Sequence, residues 1–137
     1  MSQSPSVTCE LRVALPATLQ AVEEFFVEFR RRSRARMNGA NRFAAELLVR
    51  EALTNAVVHG SHADPDKQVR CHLRLKGSCL LIAVEDDGDG FNWRVAWNHT
   101  ALFPDSSGRG IEIFRKYASR VRYNERGNVV TIIKRIL

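Results

Sequence analysis

The sequence predicts an α+β domain: a two-layer α/β sandwich whose mixed, mostly antiparallel sheet carries its helices on one face. Three observations lead to this class. Apolar and polar residues alternate over 7–14 and 69–76, three further short segments have the composition of strands, and apolar residues recur at helical spacing in three others. These segments follow the order strand, helix, helix, strand, strand, irregular segment, helix, strand, strand.

The composition is that of an ordinary globular domain. The chain has 137 residues, of which 45% are hydrophobic and 26% charged, and this length can bury one core without disulfides. No apolar run approaches the roughly 20 residues of a membrane span, and the N-terminus lacks a signal-peptide pattern. We therefore expect a cytoplasmic protein without a membrane partner. The three cysteines form no C-x-x-C pair and predict reduced, mostly buried thiols.

The net charge of +6 is concentrated in five arginines between residues 30 and 36. Three interpretations remain open for this cluster: a solvated helix end, a surface for an acidic protein partner, or a nucleic-acid contact. No aromatic side chains are interleaved with the arginines, so base stacking is not indicated. We expect no direct contact with nucleic acid.

The first half of the chain predicts a strand and two helices. Residues 1–6 have the pattern of a loose tail, and a single domain is expected over 7–137. Residues 7–14 alternate as in a strand, and helical spacing then runs from Pro16 to about Arg32. Asn41 is placed to cap a long second helix, which Gly60 ends.

The second half predicts two hairpins separated by an irregular segment and a helix. Strands over 69–76 and 79–85 form the first hairpin, and strands over 120–123 and 128–136 form the second. Residues 91–107 show no periodicity, which for a segment of this length indicates a functional or mobile loop. A helix over 108–118 follows it.

A polar stripe runs along the apolar second helix. Glu51, Asn55 and His59 are four residues apart and therefore lie nearly above one another. A polar line on a helix that should be buried needs partners. Glu51 is a candidate for chemistry, with a surface ion pair as the alternative. His59 is left outside the candidate site, because a histidine at a helix end is as often a capping or packing group.

Two glycine-bearing segments follow the stripe. The first, Asp-Asp-Gly-Asp-Gly over 86–90, ends an apolar strand and would by itself be typical of a turn. Its glycines allow the backbone to approach a flat ring. The second, Gly-Arg-Gly over 108–110, opens a helix, where free N–H groups and the helix dipole favour an anion. The sequence contains neither a Walker phosphate loop nor the usual protein-kinase motifs.

These three segments, in this order, resemble the ATP-binding fold shared by gyrase, Hsp90-type chaperones, histidine kinases and mismatch-repair ATPases, the Bergerat or histidine-kinase-like ATPase fold. The helix Glu51-Ala-Leu-Thr-Asn55-Ala-Val-Val-His59-Gly60 is most similar to that of the anti-sigma-factor serine-protein kinases of bacterial partner-switching systems. The resemblance extends from Leu11 to the C-terminus.

The resemblance implies ATP and Mg²⁺ as cofactors. It implies that Asn55 holds the metal, that Glu51 positions or deprotonates the attacking hydroxyl, and that Asp86 binds the adenine amino group. It also implies a lid over 91–107. The remaining nucleotide-binding residues that it implies are Gly88, Gly90, Gly108, Arg109 and Gly110. The sequence departs from the family at Asn128, where a threonine near the adenine is usual, and Thr131 does not replace that residue.

The resemblance also implies the activity. We expect ATP-dependent phosphorylation of a serine on an anti-sigma factor antagonist of the STAS type, together with sequestration of a sigma factor or another regulatory target. It further suggests a homodimer. One alternative is a nucleotide-gated protein-binding module without significant kinase activity. Another is the catalytic half of a sensor histidine kinase, which is disfavoured because no dimerisation and phosphoacceptor helix pair precedes the domain.

Overall fold

The computed structural model describes residues 8–88 and 107–136. The predicted tail (1–6), Gly90 and nearly all of the predicted lid (91–107) lie outside these residues, as do the side chains of 107–111. No helix in the described ranges is long and apolar enough to span a membrane.

The described elements follow the predicted order. The strands are β1 (Thr8–Pro16), β2 (Gln68–Lys76), β3 (Cys79–Asp86), β4 (Arg120–Tyr123) and β5 (Val129–Arg135). The α-helices are α1 (Leu19–Ser33), α2 (Gly39–Asn55) and α3 (Ser107–Tyr117), and a π turn (Ala56–Gly60) extends α2.

The five strands form one sheet in the order β1-β2-β3-β5-β4. All four pairings between these described strands are antiparallel. Leu73 pairs with Ile82, which pairs with Ile132, and all three side chains are buried. Because side chains alternate along a strand, their sequence neighbours point to the opposite face of the sheet.

The helices cover one face of the sheet, which confirms the two-layer α+β prediction. The aromatic row of α1 is buried, with Phe26 fully inaccessible and its ring 5.3 Å from that of Phe25 and 5.5 Å from that of Phe29. Leu48 and Leu53 of α2 are equally inaccessible. Burying each such side chain contributes about 1.5–3 kcal/mol to the stability of the fold. The apolar residues at helical spacing are therefore core residues.

The start of α2 differs from the prediction, whereas the helical structure ends at Gly60 as predicted. Asn38, and not Asn41, is the N-cap: the Asn38 side-chain oxygen accepts a hydrogen bond from the backbone N–H of Asn41 at 2.8 Å. Asn41 lies within the first turn and supplies the donor instead. After Asn55 the helix widens into the π turn, where the N–H of Ser61 donates to the carbonyl of Ala56 at 2.8 Å. Such turns are frequent at functional sites.

Candidate functional site

A pocket lies between α2, the end of β3 and the β4–β5 hairpin. It holds about 320 Å³ of empty space, its mouth included. Its lining is apolar apart from a few polar groups, a composition typical of small-molecule sites. The residues that line it are Ala52, Asn55, Ala56, Gly60, Val84, Asp86, Tyr123, Gly127, Asn128 and Val130. Two residues predicted from separate motifs, Asn55 and Asp86, therefore meet in one cavity.

Asp86 is the buried carboxylate of this pocket, with 6% of its surface exposed. Its Oδ1 accepts a hydrogen bond from the backbone N–H of Gly88 at 2.8 Å. Burial raises the pKa of Asp86, and the Gly88 hydrogen bond opposes that rise. Its neighbour Asp87 is exposed on the other side of the strand and forms an ion pair with Arg70 at 2.7 Å. Asp86 therefore lines the pocket, whereas Asp87 is held in an ion pair outside it.

Two glycines allow the π turn to contact the end of β3. A Cβ atom on Gly60 would lie 2.7 Å from Oδ1 of Asp86 and closer still to Oδ2. A Cβ atom on Gly88 would overlap the backbone carbonyl of Gly60. Any larger residue at either position must therefore displace the carboxylate or the backbone. Gly60 was predicted only as a helix stop, and this part of its role was missed.

Glu51 lies one turn before Asn55 and hydrogen-bonds to it. Burial raises the pKa of Glu51 to about 7, while the hydrogen bond from Asn55 opposes that rise. Within the described ranges Glu51 forms no ion pair, so the structure does not support the ion-pair alternative. A carboxyl that titrates near neutral pH is suited to accept a proton at that pH. His59 lies in the π turn, outside the pocket lining.

The β4–β5 turn fixes the third wall of the pocket. The side-chain oxygen of Asn124 accepts hydrogen bonds from the N–H groups of Gly127, Asn128 and Val129 at 2.9–3.0 Å. Its amide nitrogen donates to the side-chain oxygen of Asn128 at 2.7 Å. Gly127 adopts a left-handed φ of 79°, which favours glycine. One asparagine therefore organises the whole turn, and no motif in the sequence indicated it.

Asn128 occupies the position where a threonine is usual in the resembling family. Its backbone carbonyl accepts from the N–H of Asp86 at 3.0 Å, and its side-chain amide donates to the Asp86 carbonyl at 3.3 Å. Asn128 therefore lines the pocket and holds the backbone of Asp86. Thr131 pairs with Ala83 on the opposite face of the sheet and does not reach the pocket.

The apolar walls come from residues that lie outside the three sequence motifs. Val84 and Val130 are cross-strand partners and are buried. Tyr123 pairs with Val130, and burial raises the pKa of Tyr123, with the nearby charge of Glu51 adding to that rise. The sequence of β3 is continuously apolar from Cys79 to Val84, so it does not show which of these residues faces the pocket. Nothing in the sequence indicates that Tyr123 faces this pocket.

The predicted phosphate-binding residues are only partly described. Gly108, Arg109 and Gly110 lie in the first turn of α3, as predicted, but their side chains are outside the described set, and so is Gly90. Further along α3, the ring of Tyr117 meets the edge of Phe43 on α2, with centroids 6.4 Å apart. The contribution of Gly108, Arg109 and Gly110 to a phosphate site stays a prediction.

The described residues contain no group of three or more His, Cys, Asp or Glu side chains suited to hold a metal. Asn55, half-buried in the pocket wall, offers an amide oxygen. Mg²⁺ keeps several waters and takes phosphate oxygens, so a single protein oxygen is a sufficient anchor when nucleotide supplies the rest. The donor set at Asn55 fits that ion.

Comparisons with known proteins give consistent results. The family model described as "Histidine kinase-like ATPase domain" matches residues 13–134. The chain is 30% identical over 98 residues to the Anti-sigma F factor of Anoxybacillus flavithermus, which covers 65% of this chain and 66% of that protein. The histidine kinase domain of the Erythrobacter litoralis EL346 blue-light activated histidine kinase superposes with a TM-score of 0.53 at 22% identity, over 70% of this chain and 45% of that chain. At that identity the structural match shows the fold alone.

Proposed function

Because the chain belongs to the family of histidine kinase-like ATPase domains, we propose that it binds Mg²⁺-ATP and phosphorylates a serine of a partner protein. The proposed substrate is an anti-sigma factor antagonist of the STAS type. The proposed target held by the protein, in the cytoplasm, is a sigma factor or another regulatory protein. The similarity to a protein named Anti-sigma F factor, of which the chain spans 66%, supports this class of partner.

The observation that carries the proposal is the meeting of Asp86, Asn55 and Gly60 in one pocket. The cavity has the apolar walls that a purine ring requires. The Asp86 carboxylate accepts from the N–H of Gly88, while Asn128 holds the Asp86 backbone, and the carboxylate is an acceptor suited to the exocyclic amine of adenine. A guanine would oppose this carboxylate with its own carbonyl oxygen, and an unpaired buried acceptor is costly. The site should therefore prefer adenine nucleotides.

The chemistry of the proposed reaction is largely positioning. When bound, Mg²⁺ neutralises charge on the β- and γ-phosphates. Asn55 would anchor that ion, and Glu51 would orient the serine hydroxyl of the partner and accept its proton. The first turn of α3, with Arg109, would donate N–H groups to the phosphates. The pKa of about 7 for Glu51 suits this task, because a base with that pKa is largely ionised at physiological pH and can still hold a proton.

A matched pair of substitutions tests the nucleotide site by calorimetry. Asp86→Asn should weaken Mg²⁺-ATP binding at least about tenfold, which corresponds to about 1.4 kcal/mol. Asp87→Asn changes the adjacent residue in the same way, but that side chain pairs with Arg70 away from the pocket, and ATP binding should be unchanged. Equal loss in both variants, or no heat from ATP with wild-type protein, would contradict the nucleotide site.

Phosphoryl transfer is tested with labelled ATP and a STAS-type antagonist from the same organism. Wild type should label a serine of the antagonist, and Glu51→Ala should bind ATP yet fail to transfer. If wild type binds ATP and nucleotide controls its complexes without any transfer, the protein is a nucleotide-gated binding module instead. The kinase proposal fails in that case, while the nucleotide site stands.

A further inference from the structure

The face of the sheet that points away from the helices carries mostly positive charge. Cross-strand partners share a face, so the register assigns these side chains directly. Seven lysine and arginine residues lie on this face, against the carboxylates of Glu10 and Glu85. The seven are Arg12, Arg70, Arg74, Lys76, Arg120, Arg122 and Arg135.

Most of this positive charge is not compensated within the described structure. Arg12 lies 3.5 Å from Glu10, and Arg70 pairs with Glu85 and Asp87. No carboxylate among the described residues lies within ion-pair distance of the other five cations. Lysine and arginine on a sheet edge are ordinary, but an uncompensated cationic face is a binding surface for an anion.

Five of the seven cations are arranged in two rows with a mostly uncharged strip between them, while Arg12 lies on β1 and Arg135 at the end of β5. One row is on β2, where Arg70, Arg74 and Lys76 point outward beside His72, and the other is on β4, at Arg120 and Arg122. Strands β3 and β5 separate the rows and are mostly uncharged on this face. Their residues in the strip, all partly exposed, are Leu81, Ala83, Val129, Thr131 and Ile133.

The strip is open to a partner. The described helices pack against the opposite face, where Ile82 and Ile132 are fully buried. A shallow hollow of about 810 Å³, its open side included, lies over the β1–β3 part of the outward face and is lined among others by Arg12, Arg70 and Ala83.

We propose that this face docks an acidic amphipathic helix of a partner protein. Neighbouring strands are about 4.8 Å apart, so β2 and β4 stand about 14 Å from each other across the strip. An α-helix with its side chains is about 10–12 Å wide. A helix lying along β3 and β5 would set its apolar stripe on Leu81 and Ile133, and carboxylates on both flanks would meet the two cationic rows. This site is separate from the proposed nucleotide pocket.

The same surface fits other occupants less well. No phenylalanine, tyrosine or tryptophan lies on the outward face of the described strands, so single-stranded nucleic acid would find no large stacking platform there. Phosphates also gain nothing from an apolar strip. A second copy packed face to face would bring the same seven cations against these, and like charges repel.

The probe is a fluorescein-labelled synthetic helix of about 18 residues, five turns, with leucines on one face and glutamates on both flanks. Two companion peptides replace the glutamates by glutamines or by lysines. In anisotropy titrations the acidic peptide should bind at least about tenfold more tightly than either companion, and its affinity should fall as salt rises from about 50 to about 200 mM.

Two double substitutions locate the binding. Arg74→Glu with Arg122→Glu reverses one cation in each row and should weaken the acidic peptide at least about tenfold. Arg34→Glu with Arg36→Glu makes the same charge change at the end of α1, on the helix side, and should weaken it far less. Unchanged circular dichroism and unchanged ATP binding in all variants separate this outcome from any failure of the nucleotide site.

Three results would overturn the proposal. One is equal binding, or no binding, of the three peptides. Another is that labelled single-stranded or duplex DNA binds more tightly than the acidic peptide and that the Arg74→Glu, Arg122→Glu variant loses this DNA binding. The third is a dimer in light scattering that Leu81→Asp dissociates, since the face would then be occupied by a second copy.

Discussion

The contact between the π turn and the end of β3 can be tested by adding one methyl group at Gly60. The new Cβ would lie 2.7 Å from Oδ1 of Asp86 and closer to Oδ2. The carboxylate is tied to Gly88, and its backbone to Asn128, so it cannot move away without losing a hydrogen bond. Overpacking of this kind costs about 1–3 kcal/mol and a lost hydrogen bond about 1 kcal/mol more. We expect Gly60→Ala to lower the free energy of unfolding by about 2–4 kcal/mol.

The control is the same substitution at the other end of the same helix. Gly39 begins α2, and a Cβ there would meet nothing within 4 Å. Gly39→Ala should therefore raise the free energy of unfolding by up to about 1 kcal/mol, because alanine loses less backbone entropy in a helix. Both values come from urea titrations followed by circular dichroism. Calorimetry should also show that Gly60→Ala loses ATP affinity while Gly39→Ala keeps it.

A double-mutant cycle separates the clash from any general intolerance at this position. In an Asp86→Ala background the carboxylate is absent, so Gly60→Ala should cost at least about 1 kcal/mol less than in wild type. If Gly60→Ala is as stable as wild type, or costs the same with and without the Asp86 carboxylate, Gly60 does not pack against that carboxylate.

Three further predictions concern titration, thiols and the hairpin turn. Burial raises the pKa of Glu51 to about 7, so ionising this side chain lowers the stability of the fold as the pH rises. In urea titrations with EDTA, Glu51→Gln should raise the free energy of unfolding by about 1–3 kcal/mol near pH 8 and hardly change it near pH 4. Arg30 lowers the pKa of Glu46 on the same helix, so Glu46→Gln should instead lose stability at neutral pH, and equal pH profiles would contradict both assignments. Ellman's reagent should modify the exposed Cys79 in native protein but Cys71 only in urea, since Cys71 is buried and burial raises its pKa to about 12. Asn124→Ala removes the acceptor of three N–H groups and should lower the free energy of unfolding by about 1–3 kcal/mol while weakening ATP binding; unchanged calorimetry would exclude its role in shaping the pocket.

Much of the fold was predictable because periodicity is a local property of the chain. The alternation in β2 and the aromatic row of α1 each identify one element and its buried face without reference to any other. Caps and helix ends were less certain. Asn38 and Asn41 both have side chains that can cap a helix, and only the observed backbone decides between them.

The site residues that lie within sequence motifs were predictable, and those outside the motifs were not. Asp86 and Asn55 could be selected because their residue types and surroundings suggest adenine and metal binding, and the structure places both in one pocket. Tyr123 and Asn124 carried no such signal. Their importance comes from the β4–β5 hairpin, which pairs with β3 in space and brings them beside α2.

By itself the sequence determined the elements, their buried faces and the polar residues placed on them, because these depend on spacing along one segment. Only the tertiary structure decided which distant groups touch. The approach of Gly60 to Asp86, the pKa of Glu51 and the two cationic rows on the outer sheet all depend on the strand order β1-β2-β3-β5-β4 and on how closely α2 packs over it. Contact and desolvation are properties of the assembled layers, and no single segment contains them.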